Sequence, residues 1–141
     1  MKNRILTALA LVTLVALSAL PAHAGPKVIV NSDAGVSSVS AETVKNVFLG
    51  RTTKFDNGTK VTFAVLKDGA AHESFLDDVV GKSPSQFLSY WRKLAFSGKG
   101  TMPQEFDSED ALVAFVQSTP GAIGYVSEST ATDGVTVVAL D

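Results

Sequence analysis

Residues 61–80, VTFAVLKDGAAHESFLDDVV, constrain the fold of this chain more than any other stretch. Val61, Phe63, Ala64, Val65 and Leu66 form an apolar run of strand length. Lys67, Asp68 and Gly69 interrupt it, and Phe75, Leu76, Val79 and Val80 then recur at helical spacing. Strand, tight turn and helix start follow one another. A turn of this kind leaves main-chain N–H groups without intrahelical acceptors, converging on one spot with the positive end of the helix dipole behind them. The spot favours an anion. Gly69, Ala70, Ala71 and His72 supply the amides, with Lys67, His72 and Ser74 beside them as candidate contacts.

The elements around this unit are marked by their punctuation. Residues 27–31 (KVIVN) are a short β-branched strand. Residues 32–40 are polar, and Ser40 is placed to cap a helix over 41–49, which carries Val44, Val47 and Phe48 on one side and stops at Gly50. Asn57-Gly58 is a turn signal before the strand at 61. Gly81 ends the second helix. Ser83-Pro84-Ser85-Gln86 then opens a third with a capping box and a proline at the first helical position. Phe87, Tyr90, Trp91, Leu94 and Ala95 give it one apolar face, which Phe96 is expected to extend. Asp107 or Ser108 caps a fourth helix with Ala111, Leu112, Phe115 and Val116 inward, and Pro120-Gly121 ends it. Strands at 122–126 and 135–140 close the chain. Helices alternating with strands predict a layered α/β sandwich around one sheet, mixed rather than wholly parallel.

Composition removes several classes of function. Met1-Lys2-Asn3-Arg4 is basic, residues 5–20 are almost wholly apolar, and Ala22 and Ala24 flank a small-residue cleavage site. That is the pattern of a secretory signal over residues 1–24, with the exported domain spanning 25–141. The apolar run falls short of the roughly 20 residues a spanning helix needs, so no membrane insertion is expected after cleavage. Export to a bacterial periplasm suits a chain with no cysteine. Without Lys2 and Arg4, ten basic residues stand against fourteen acidic ones, which argues against nucleic acid as a partner. One histidine after residue 24 and no cysteine leave no metal site, and no nucleophile elbow or phosphate-cradling glycine loop is present. No cofactor and no catalytic role are expected.

Phe48-Leu49-Gly50 after an amphipathic helix, Asn57-Gly58 before an apolar strand, Tyr90-Trp91, Phe96-Ser97-Gly98 and above all Pro120-Gly121-Ala122-Ile123-Gly124-Tyr125-Val126 resemble, in that order, the phosphate-type substrate-binding proteins of bacterial ABC transporters. The resemblance covers nearly all of residues 27–138. It implies one lobe of a type II periplasmic binding protein, with phosphate or a similar oxyanion as ligand. A membrane transporter or sensor protein, or a second copy of this chain, is the implied macromolecular partner. Two departures go with it. Full-length members close two lobes on the anion, and this chain has length for one. The turn that carries Ser-Gly-Thr in the family holds Ala70, Ala71 and His72 here, and Lys67 stands near a position often occupied by arginine.

Alternatives remain at each residue. His72 reads as an anion contact or pH-responsive donor, or else as a surface histidine of the first turn. Lys67 is a ligand or an ordinary exposed lysine. Asp68 is better suited to capping the helix than to holding a ligand. Trp91 and Tyr90 read as core. Two functions stay open: weak, reversible binding of a small oxyanion, and a non-transport module that keeps the fold for protein–protein contact.

Overall fold

The computed structural model describes residues 25–140. The expected signal segment, residues 1–24, lies outside the described residues. Six strands form one mixed sheet in the order β2-β6-β1-β5-β3-β4. The strands are β1 (Lys27–Asn31), β2 (Ser38–Val39), β3 (Thr62–Leu66), β4 (Gln104–Phe106), β5 (Ala122–Val126) and β6 (Val135–Leu140). The helices are α1 (Ala41–Phe48), α2 (Ala70–Phe75), α3 (Pro84–Phe96) and α4 (Glu109–Ser118). A wider π-type turn, Leu76–Val80, prolongs α2, and Gly81 ends it in the left-handed conformation.

The hydrophobic strands run through the middle. β1 lies antiparallel between β5 and β6, with Val28 opposite Tyr125 on one side and Val138 on the other. β3 runs parallel to both β5 and β4. Every residue of β5 is buried, as a strand covered on both faces must be. Gly124 shows how one face is covered. A Cβ there would stand 2.5 Å from Cδ2 of Leu112, so its absence lets α4 lie against the sheet. Tyr125, the next residue, points the opposite way. Its ring stacks on Phe75 at 4.0 Å and meets Phe48 at 5.8 Å, placing α1 and α2 on the other face. Two helix layers around a mixed sheet are the expected sandwich.

The local signals predicted from the sequence hold where a side chain closes a hydrogen bond. The Ser40 hydroxyl accepts from the Thr43 N–H, and Ser108 accepts from Ala111. At α3 the full capping box forms: Ser83 Oγ accepts from the Gln86 N–H, and the Gln86 side chain accepts from the Ser83 N–H. The indole N–H of Trp91 donates to the Phe48 carbonyl at 3.1 Å, and Tyr90 donates to the Leu49 carbonyl at 2.6 Å. Both rings belong to the packing between α3 and α1.

Three expectations are corrected. Phe96 does not extend the apolar face of α3: it is 96% exposed. Five residues beyond Trp91, at about 100° per residue, it has rotated away from the sheet. Ala111 is likewise exposed, and Leu112 and Val116 carry the burial of α4. The strands β2 and β4 were not expected, and both lie at the edges of the sheet.

Candidate functional site

β3 delivers the chain to the turn before α2. Its last residue, Leu66, is buried, while Lys67, Asp68, Gly69 and Ala70 are exposed. Gly69 immediately precedes the helix at φ 102° and ψ 170°, a conformation that side chains disfavour. A Cβ at Gly69 would meet nothing within 4 Å, so the turn opens to solvent. No side chain caps α2, and Asp68 in particular does not, contrary to its expected role. The first helical bond runs from the Glu73 N–H to the Gly69 carbonyl at 3.1 Å. The amides of residues 70–72 precede it and have no acceptor within the helix.

The side chains of the six sequence-derived candidates do not gather at one place. Ala70, Ala71 and Ser74 line a shallow hollow together with Asp77, Asp78 and Glu128. Lys67 and His72 line a separate cleft, about 180 Å³, between β3 and the first turns of α3. Helical rotation explains the split: 70, 71 and 74 share one side of α2, and 72 falls on another. Lys67 is exposed and stands 3.9 Å from an Asp107 carboxylate oxygen. At that separation, with both groups in water, the pair holds neither in place.

Of the two readings of the His72 side chain, the surface histidine is corrected. It is not a surface residue, being 5% exposed, and its ring is turned to the buried Tyr125 hydroxyl. Nδ1 lies 2.5 Å from the Tyr125 hydroxyl, which also accepts the Leu66 N–H at 3.0 Å. The phenolic oxygen is thus an acceptor for Leu66. Its own hydrogen has His72 Nδ1 as the acceptor within reach, so Nδ1 is unprotonated and the imidazole carries its hydrogen on Nε2. Burial lowers the His72 pKa, against the opposing pull of Asp68 and Glu73. Burial also raises that of Tyr125, against the Leu66 hydrogen bond.

Tyr125 was the partner that sequence reasoning missed. A hydroxyl in a strand buried throughout must find a hydrogen bond. The chain after residue 24 holds one histidine, so the demand was visible and the supplier was not. A second polar cluster was also missed. Glu109 accepts from the Ser127 N–H and from the hydroxyls of Ser127, 3.0 Å, and Thr130, 2.9 Å, tying α4 to the β5–β6 connection.

Neither a protein-family model nor a curated protein matches the sequence. Solved structures do match. An ABC-type phosphate transport receptor from Vibrio cholerae superposes with a TM-score of 0.61 at 13% identity, over 81% of this chain and 45% of that one. The fold is that of the phosphate substrate-binding proteins. A putative phosphate ABC transporter substrate-binding protein from Clostridium perfringens, solved with bound phosphate, gives 0.60 at 20% identity, over 81% and 44%. PstS from Borrelia burgdorferi gives 0.64 at 13%, over 83% and 47%. This chain spans less than half the length of each, and in structure it is a single-lobe relative of them. Among the described residues no helix is long and apolar enough to cross a membrane.

Proposed function

We propose that this chain is an exported, periplasmic solute-binding-like domain that takes up a small oxyanion, phosphate by analogy of fold, weakly and reversibly. The observation that carries this reading is the turn at 69–72, where an uncapped helix start faces solvent at the end of a central strand. The donors are the main-chain amides of Gly69, Ala70, Ala71 and His72. Lys67 adds a mobile positive charge, and Ser74 a hydroxyl on the adjoining side. The role is binding, without catalysis. A transporter or sensor in the membrane, or a second copy of the chain, is the partner that would cover the open side.

Weak affinity follows from what surrounds the amides. Asp68 and Glu73 flank the turn, and Asp77, Asp78 and Glu128 border the adjoining hollow, so the local field opposes a dianion. The hydroxyls that would offset it are absent at Ala70 and Ala71. Thermal unfolding in phosphate and in sulfate tests the reading. A ligand of the native state raises the melting temperature as its concentration passes the dissociation constant. A rise in both salts at matched ionic strength, absent in chloride, supports it. No rise at tens of millimolar removes it.

One observation favours the second reading, a module for protein–protein contact. Phe96 is 96% exposed at the end of α3, with Ser97, Gly98 and Lys99 beyond it. Exposing a large ring to water gives the monomer nothing and suits an anchor that a partner buries. Phe96→Ser that binds a native partner as well as the parent does would remove this reading and leave the anion site untouched.

A further inference from the structure

We propose that the cleft between β3 and the first turns of α3 is a binding site for a neutral, one-ring aromatic molecule carrying a hydrogen-bond acceptor. The cleft is distinct from the amide turn. It is lined by His72 together with Leu66, Phe87, Leu88, Trp91 and Met102. At about 180 Å³ it matches one substituted ring, since an apolar cavity of about 150 Å³ suffices for benzene. Phe87 and Trp91 give the lining aromatic character that favours a ring as guest.

The polar part of the argument rests on His72. The residue is 5% exposed, and its Nδ1 is taken by Tyr125. Nε2–H has no partner among the described residues. No buried side-chain nitrogen or oxygen there lacks a partner, so this nitrogen is open to the cleft that His72 lines. A fixed donor inside an apolar recess selects a guest with an acceptor at the matching place. The guest is neutral because the ring is, and because the charge of Lys67 in the lining is offset by Glu105 in the same lining and by Asp107 at 3.9 Å.

Benzamide, benzoate and toluene separate the elements of this proposal in titrations of the purified protein followed by NMR. Benzamide is expected to shift the Trp91 indole N–H and the His72 Nε2–H saturably, in the millimolar range. Toluene, lacking the acceptor, binds about fivefold more weakly or worse, the scale of one hydrogen bond. Benzoate binds more weakly than benzamide, because its charge loses hydration in an apolar recess. Ser85→Trp, at an exposed position on the cleft wall, abolishes the response without lowering the melting temperature. Phosphate does not compete, so failure here and failure of the anion site are read separately. The proposal is overturned by the absence of a saturable shift, by toluene or benzoate binding as tightly as benzamide, or by a response that survives Ser85→Trp.

Discussion

The phenolic oxygen of Tyr125 ties β5 to a strand–turn–helix unit that lies more than fifty residues earlier in the chain. It accepts from the Leu66 N–H at the end of β3 and donates to Nδ1 of His72 in the first turn of α2. The strand–turn–helix unit that shapes the candidate site is therefore pinned from beneath by β5. The turn carrying the amides of residues 69–72 is anchored by a bond in the core, and the exposure of Gly69 and Ala70 does not imply that it moves freely.

Tyr125→Phe removes that pin while keeping the ring. The Leu66 N–H and His72 Nδ1 are then buried without a partner, a loss of roughly 1–3 kcal/mol. Urea unfolding is expected to show the unfolding free energy falling by that amount, through a lower midpoint at an unchanged slope. The stack on Phe75 survives, so the loss is smaller than for Tyr125→Ala.

His72 makes stability depend on pH. Burial lowers its pKa below the unfolded value of 6.5, against the pull of Asp68 and Glu73. The native state resists the proton that the unfolded chain accepts. Stability is therefore full above pH 6.5, falls as pH drops from 6.5 to the lowered native value, and levels off below it as far as this group is concerned. Tyr125, raised from 10, has the opposite edge: stability is lost as pH climbs through 10. Denaturant midpoints across the acid range, compared with those of His72→Gln, check the first arm. The variant is expected to be less stable at neutral pH and flatter as pH falls below 6.5.

Gly124→Val tests the close approach of α4 to the sheet. Even a Cβ alone would stand 2.5 Å from Leu112 and 3.3 Å from Val116, both fully buried. Overpacking of this kind costs typically about 1–3 kcal/mol. The melting temperature is expected to fall, and Leu112→Ala in the same chain is expected to recover part of the loss.

Lys67→Ala separates charge from structure. The side chain is exposed and its ion pair with Asp107 is long, so the unfolding midpoint stays where it was. If Lys67 helps to hold an anion, phosphate affinity falls severalfold and the salt dependence of binding weakens. Calorimetric titration at two ionic strengths measures both.

Much of this fold could be read from the chain because its elements carry their own stop and start residues. Ser40 and Ser83 cap the helices they were expected to cap, Ser108 rather than Asp107 caps the fourth, and β1 and β5 keep the expected bounds because both are short, apolar and bounded by turns. The edge strands were not legible. β4 is Gln-Glu-Phe and gains its extended form from pairing with Ala64, Val65 and Leu66, some forty residues earlier. β2 is two residues long and leans on Ala139 and Leu140. At the site, the turn and its glycine were visible, but the side to which His72 turns was not. That choice is made by Tyr125 across 53 positions of sequence, and no local pattern encodes it.

The central claim is that main-chain amides at the start of α2 bind the anion, and Ala70→Pro tests it most directly. Residue 70 is the first helical position, where proline fits and its missing N–H leaves no helical bond broken. The substitution deletes one donor and little else. Calorimetric titration with phosphate is expected to show millimolar binding to the parent chain and at least severalfold weaker binding to the variant, with the two melting temperatures equal in the absence of anion. Equal affinity in parent and variant, or no binding heat from the parent at all, contradicts the account.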